Sequence, residues 1–226
     1  ESGFLFPIKL ESYVSASGRS NWSVPIRPWL WSTEVPWSYD VALTPGTVNA
    51  WVKGNVARSL SLATGKELWS IPQCTGLVTV SKLLVAASER TLSIIDASSG
   101  RTVRTVGLQA PLVAPPVLAG STLVGLQDKG TLVGVDPHKG KVSWRVVVGA
   151  HGQPDRPLPA GDLVLLPHLP TGANASTSAA ERAVLEARRA TTGALAWKKS
   201  FRSPAESGQQ RGRYGIFQAA CKKIFF

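Results

Sequence analysis

The side chains here that could do chemistry are few and far apart: Asp96 and Asp136, three histidines, two cysteines and one Gly-rich stretch. Asp96 and Asp136 each open a short segment that ends in Gly100 or Gly140. A carboxylate at that place can accept backbone N–H groups across a turn, which explains it without catalysis. His138, His151 and His168 stand in turn-like or Pro-rich stretches, lack the spacing of zinc ligands, and are expected at the surface. Cys74 and Cys221 form no metal-type pair. A bridge between them would require the ends of the chain to meet, and two free thiols is the simpler expectation. Gly125–Thr131 has two glycines at phosphate-loop spacing but no Lys after the second, and it joins two expected strands. No G-x-S-x-G elbow is present. Asn21-Trp-Ser23 and Asn174-Ala-Ser176 are glycosylation sequons, meaningful only in a secretory eukaryote. No catalytic residue, metal ligand or cofactor contact is expected from these patterns.

What positions these residues is an internal repeat. Four segments carry a turn ending in Gly and a large residue four places later: Gly65 with Trp69, Gly100 with Arg104, Gly140 with Trp144, and Gly193 with Trp197. The glycines are 35, 40 and 53 residues apart, and the long interval holds a polar insert, Thr171–Arg182. A period near 40 residues suits one four-stranded sheet per repeat. The Gly supplies the positive φ that such a turn needs, and each Trp is spaced to emerge from the last strand and fill the space against the next sheet. Arg104 replaces the Trp in the second repeat, so packing there is expected to differ.

The short turns between strands require antiparallel pairing, since parallel strands need crossovers of a dozen residues or more. The expected fold is therefore all-β, a β-propeller of four-stranded antiparallel blades within a single domain spanning 1–226. The blades lie at about 36–71, 76–106, 113–148 and 157–199. Termini 1–35 and 200–226 are left to close the ring. Arg27–Ser32 is expected as an orphan outer strand, with Trp29 or Trp31 in the place of Trp69, paired with Gly215–Phe226.

Composition agrees with a folded β protein: 43% hydrophobic and 17% charged residues in a chain of 226, with 21 Gly and 16 Pro to make turns. No apolar run reaches the roughly 18–20 residues that cross a bilayer as a helix. The chain begins at Glu1 and lacks Met, so loss of a natural start by processing is expected. Net charge is +11, and from Glu181 onward ten Lys and Arg face three Glu. Lys198, Lys199, Arg202, Arg211 and Arg213, with Lys222 and Lys223 beyond them, are candidate contacts for a polyanion.

Ala63-Thr-Gly-Lys-Glu-Leu-Trp69 and its copies resemble the pyrroloquinoline-quinone-type (quinoprotein-like) propeller repeat over roughly Pro36–Lys199. That repeat occurs in quinoprotein dehydrogenases, in the outer-membrane lipoprotein of the barrel-assembly machinery, and in sensor domains of some bacterial kinases. The resemblance implies a non-enzymatic scaffold that binds other proteins in the periplasm or cell envelope, or after secretion. Its first alternative is an oxidoreductase or ligand sensor holding pyrroloquinoline quinone with calcium. Resemblance to the dehydrogenases would also imply a vicinal disulfide, which Cys74 and Cys221 cannot form, and a catalytic Asp. The second alternative is binding of an anionic surface or nucleic acid through the basic C-terminal region. Family members have seven or eight blades, and four are readable here.

Overall fold

The computed structural model describes residues 9–13, 16–25, 39–52, 56–148, 156–168, 182–202, 218–220 and 223–225. The chain divides into two compact units, Glu1–Leu108 and Gln109–Phe226. Among the described residues, apart from one 3-10 turn, Asp128–Gly130, every regular element is a strand.

The first unit opens with a two-stranded sheet, β1 (Lys9–Tyr13) and β2 (Ser20–Pro25). Two four-stranded antiparallel meanders follow. They are β3 (Tyr39–Thr44), β4 (Thr47–Val52), β5 (Ala57–Ser61) and β6 (Glu67–Ile71), then β7 (Gly76–Val80), β8 (Leu83–Ser88), β9 (Thr91–Asp96) and β10 (Thr102–Gly107). Apolar side chains from facing strands of the two sheets form one core: Trp51, Ala57, Leu77, Leu84, Ala86 and Ile95 are buried in it, with Trp69 and Ile71 against its side. Burial of a large aliphatic side chain contributes roughly 1.5–3 kcal/mol, so this stacking of sheets is the main stabilising term in the unit. Cys74 is a free thiol inside this core, and burial pushes its pKa up to about 11.

The second unit repeats the plan. Its sheets are β11 (Val117–Ala119), β12 (Thr122–Gln127), β13 (Thr131–Asp136) and β14 (Lys141–Val147), then β15 (Leu158–Ala160), β16 (Leu163–His168), β17 (Arg182–Arg189) and β18 (Leu195–Arg202). A two-stranded sheet, β19 (Gln218–Ala220) and β20 (Lys223–Phe225), closes the chain. Val124, Leu126, Leu132, Val164 and Leu166 form the core between the two larger sheets. First strands lie side by side: β11 beside β15, and β15 beside β19. The hairpin β19–β20 thus begins a further sheet on the same plan. The four larger sheets have the strand order and stacking of propeller blades.

The four blade turns share one hydrogen-bond pattern. Each turn Gly donates its N–H to the carbonyl four residues earlier: Gly65 to Ser61, Gly100 to Asp96, Gly140 to Asp136 and Gly193 to Arg189, at 2.8–2.9 Å. The glycines sit at φ between +66° and +73°, where any Cβ is strained. Beyond each turn the register slips by one residue, so Leu68, Val103, Ser143 and Ala196 are extra residues in the last strand. All four are exposed. The bulge bends the strand and re-aims the following residue, which is Trp69, Arg104, Trp144 or Trp197.

Candidate functional site

The recurring geometry in this molecule is a tryptophan seated on the glycine turn of the following sheet. Trp69 lies against the Gly100 turn, and its indole N–H donates to the Ala97 carbonyl at 3.1 Å. Trp144 lies against the Gly193 turn and donates to the Ala190 carbonyl at 2.8 Å. In each case the acceptor precedes the Gly by three residues, so ring and N–H are placed by one rigid turn. A Cβ at Gly100 would stand 2.5 Å from the Trp69 ring, and one at Gly193 would stand 2.6 Å from that of Trp144. These glycines are needed for close approach as well as for φ. The residue paired across the sheet from each Trp is small: Ser59 faces Trp69, Gly134 faces Trp144 and Ala187 faces Trp197, while Ile94 faces Arg104. A Cβ at Gly134 would fall 2.1 Å from the Trp144 ring.

A fifth copy of this arrangement stands before the first blade. Gly18 has φ +65°, Asn21 is the extra residue of a register slip, and Trp22 follows four places after Gly18, opposite Ser12. Trp22 seats on the Gly65 turn, and its indole N–H donates to the Leu62 carbonyl at 2.9 Å. Trp22 therefore holds the place expected for Trp29 or Trp31. Arg27–Ser32 lies outside the described residues. Among the described residues β19 and β20 pair with each other.

The Asp residues cap turns. Asp96 Oδ1 accepts from the Ser98 hydroxyl and N–H at 2.5 and 3.1 Å, and from the Ser99 N–H and hydroxyl at 2.9 Å each. The Ser98 and Ser99 hydrogen bonds hold its pKa down at about 2. Asp136 Oδ1 accepts from the N–H groups of His138 and Lys139 at 2.9 and 3.0 Å. The Lys139 N–H, more than any other group, lowers its pKa. Carboxylates oriented this way are committed to their own turns. No group of three or more His, Cys, Asp or Glu side chains converges among the described residues.

His168 is a correction to the surface expectation: it is 1% exposed, at the end of β16. Its Nε2 lies 3.6 Å from Glu186 Oε2, and Glu186 also pairs with the Nε of Arg188. Arg188 Nη1 donates to the Gly193 carbonyl at 2.8 Å, which ties this buried cluster to the turn under Trp144. The sequence signal is alternation, since Glu186 and Arg188 are two apart and share one face of a strand. His138 is exposed in its turn, and His151 and Cys221 lie outside the described residues.

Of the basic candidates, Lys198 and Lys199 are described with their side chains, and both are exposed. Lys198 pairs across from Glu186 and Lys199 from Leu185, so the two point to opposite faces of β18. Lys199 Nζ stands 6.0 Å from the centroid of the Trp197 ring. Arg202 closes the strand, while Arg211, Arg213 and Lys222 lie outside the described residues.

A family model described as "Outer membrane protein assembly factor BamB" matches residues 52–214, the span that carries three of these tryptophan positions and four of the glycine turns. The chain belongs to this family. The crystal structure of BamB from Moraxella catarrhalis is 19% identical, with a TM-score of 0.53 over 78% of this chain and 54% of that one. The WD40 domain of Neurospora crassa Pan2 is 14% identical, with a TM-score of 0.60 over 86% of this chain and 60% of that one. The computationally designed Ika8 protein is 16% identical, with a TM-score of 0.54 over 70% and 48%. These likenesses show the propeller fold. The matches take in 48–60% of the length of these structures. No curated protein matches the chain. Among the described residues no helix is long and apolar enough to cross a membrane.

Proposed function

We propose that this chain is a non-enzymatic platform for protein partners in outer-membrane or envelope assembly, working in the periplasm or at the cell envelope. The observation that carries the reading is the family match over residues 52–214, whose description names an outer membrane protein assembly factor. The geometry is consistent with it. Trp22, Trp69 and Trp144 hold one sheet on the next, and the exposed bulge residues Leu68 (47%) and Val103 (46%) present apolar side chains outward from outer strands. Outer strands with free edges and displayed side chains suit recognition of extended polypeptide. The test is fluorescence anisotropy of a labelled, unfolded outer-membrane β-barrel polypeptide titrated with this chain. Saturable binding is expected, weakened at least several-fold by the Leu68→Asp, Val103→Asp double substitution. A flat titration refutes the function.

On this reading the chain takes neither pyrroloquinoline quinone nor calcium. Its rings are seated on glycine turns and its two turn carboxylates already accept their own backbone N–H groups. A ligand at about 100 times Kd stabilises its receptor by roughly 2.7 kcal/mol. For a domain of this size that is a rise in Tm of about 5–10 °C. A thermal-shift titration with quinone and calcium is expected to stay flat, and a rise of that order favours the oxidoreductase.

A further inference from the structure

The core between the two larger sheets of the first unit holds polar atoms that its apolar lining leaves unserved. Ala42, Asn49, Ser59 and Trp69 form one row across the first of these sheets, paired strand to strand. The row faces the second sheet, since Ala42 and Trp69 pack on the core that holds Leu77, Leu84 and Ile95. Thr79 faces it from the other side, two residues beyond Leu77 on β7 and paired with Leu84 on β8. Strands β3 and β7 lie side by side, which sets Thr79 near the start of the row. Asn49 and Ser59 are fully buried. Yet Asn49 Oδ1, Ser59 Oγ and Thr79 Oγ1 are buried without a hydrogen-bond partner among the described residues.

The other end of Asn49 fixes which way its amide points. Nδ2 donates to the Ala42 carbonyl at 3.2 Å and to the Thr44 and Thr47 hydroxyls at 3.3 Å each. A carbonyl only accepts, so the amide nitrogen must face it and Oδ1 is the end left over. The second unit contains an apolar version of the same row, Val117, Val124, Gly134 and Trp144, paired in the same order. There the Trp144 ring lies so close over Gly134 that a Cβ would stand 2.1 Å from it. Ser59 has a Cβ, so the Trp69 ring cannot cover it in that way. Ala42 and Asn49 are also smaller than the valines in their places, and the row fills less of the core.

We propose that Asn49 Oδ1, Ser59 Oγ and Thr79 Oγ1 together bind one buried water molecule, which pins the first of these sheets to the second. Buried polar atoms are costly when unpaired, and a buried water typically makes about three hydrogen bonds to groups of this kind. The balance of donors suits water. Oδ1 only accepts, whereas each hydroxyl can give or take. A water that donates to Asn49 and to one hydroxyl, and accepts from the other, leaves none of the three unserved. Three neutral oxygens are too few for a cation such as calcium, which takes about 6–8. The inference does not depend on the function proposed above.

The test is a high-resolution crystal structure of the full chain, with a second crystal soaked in rubidium chloride. A density peak about 2.5–3.2 Å from all three oxygens, without a rubidium anomalous signal, is expected. Thr79→Val supplies a solution measurement whose sign discriminates, in a variant of nearly unchanged shape. If the hydroxyl binds water, its removal breaks a hydrogen bond and the midpoint of urea unfolding falls. If the hydroxyl is unpaired, a methyl group suits the apolar core better and the midpoint rises. A lower midpoint is expected. A midpoint that rises or stays unchanged overturns the proposal. So does a wild-type crystal in which no peak bridges the three oxygens, as a direct Asn49–Ser59 hydrogen bond would give, or a rubidium peak at the site.

Discussion

Trp144 and Gly193 allow the docking geometry to be tested by its non-additivity. Removing a large, well-packed ring costs about 3–5 kcal/mol. In Trp144→Ala this includes the loss of the indole donor to the Ala190 carbonyl at 2.8 Å. For a domain of this size that lowers Tm by roughly 2–4 °C per kcal/mol. Gly193→Ala acts through two separate effects. At φ +73° a Cβ costs about 1–2 kcal/mol whatever surrounds it. The new methyl would also stand 2.6 Å from the Trp144 ring, and displacing that ring costs about 1–3 kcal/mol more. In the Trp144→Ala background only the backbone strain remains. The double variant is therefore less destabilised than the sum of the single variants, by about 1–3 kcal/mol. Urea unfolding followed by near-ultraviolet circular dichroism measures all four corners of the cycle. Trp144→Phe separates the hydrogen bond from the ring, with a loss of about 1 kcal/mol for the missing N–H. Additivity of Trp144→Ala and Gly193→Ala within about 0.5 kcal/mol, the behaviour of independent sites, refutes the seat.

Two further substitutions probe the buried and exposed carboxylates. Glu186→Ala leaves the Arg188 guanidinium without its carboxylate in a buried cluster that also holds His168, and is expected to cost about 3–5 kcal/mol in urea unfolding. A loss under 1 kcal/mol would mean that the cluster is solvated. Asp96 has a folded pKa near 2, below its ordinary value, so its contribution to stability is present above about pH 4 and fades as pH falls toward 2. Asp96→Ala is expected to be less stable than the wild type at pH 6, with the gap closing between pH 4 and 2 in acid titrations of Tm. A gap that persists unchanged at pH 2 rules out the carboxylate as its source.

The blades were legible because a turn that needs positive φ and a ring that fills a gap leave few residue types free, so Gly65 and Trp69 mark each other in the chain. By the same offset Gly18 marks Trp22, and that copy was available to the same rule. The aromatic density of Trp22, Trp29, Trp31 and Trp37 is a compositional signal with no offset behind it, and of these only Trp22 lies among the described residues. Register was less accessible. That Ser59, Gly134 and Ala187 are the small partners of Trp69, Trp144 and Trp197 depends on a one-residue slip in each last strand. Turn length alone does not announce that slip. His168 shows another limit, since a His after Pro167 ends an apolar run like a turn residue, and only the sheet pairing brings Glu186 to its ring.

The bulge also explains how one chain can be both rigid and adaptable at its surface. Where the residue at four beyond the Gly is Trp, the bulge turns it inward, where shape is tightly constrained, and it turns the residue at three beyond the Gly outward. Arg104, in the same place as the Trp, is exposed. Within this chain the inward place is Trp in four of five copies. The outward place is Asn21, Leu68, Val103, Ser143 and Ala196, five different side chains, all exposed. Changes at the outward place leave the docks between sheets untouched, so on the function proposed above partner specificity could be altered there with little effect on the fold. Ser143→Asp and Ala196→Asp are expected to shift Tm by no more than about 1–2 °C, within the roughly 0.5 kcal/mol typical of exposed sites. A large drop for either would mean that the outward residues also hold the blades together, and the separation of fold from recognition would fail.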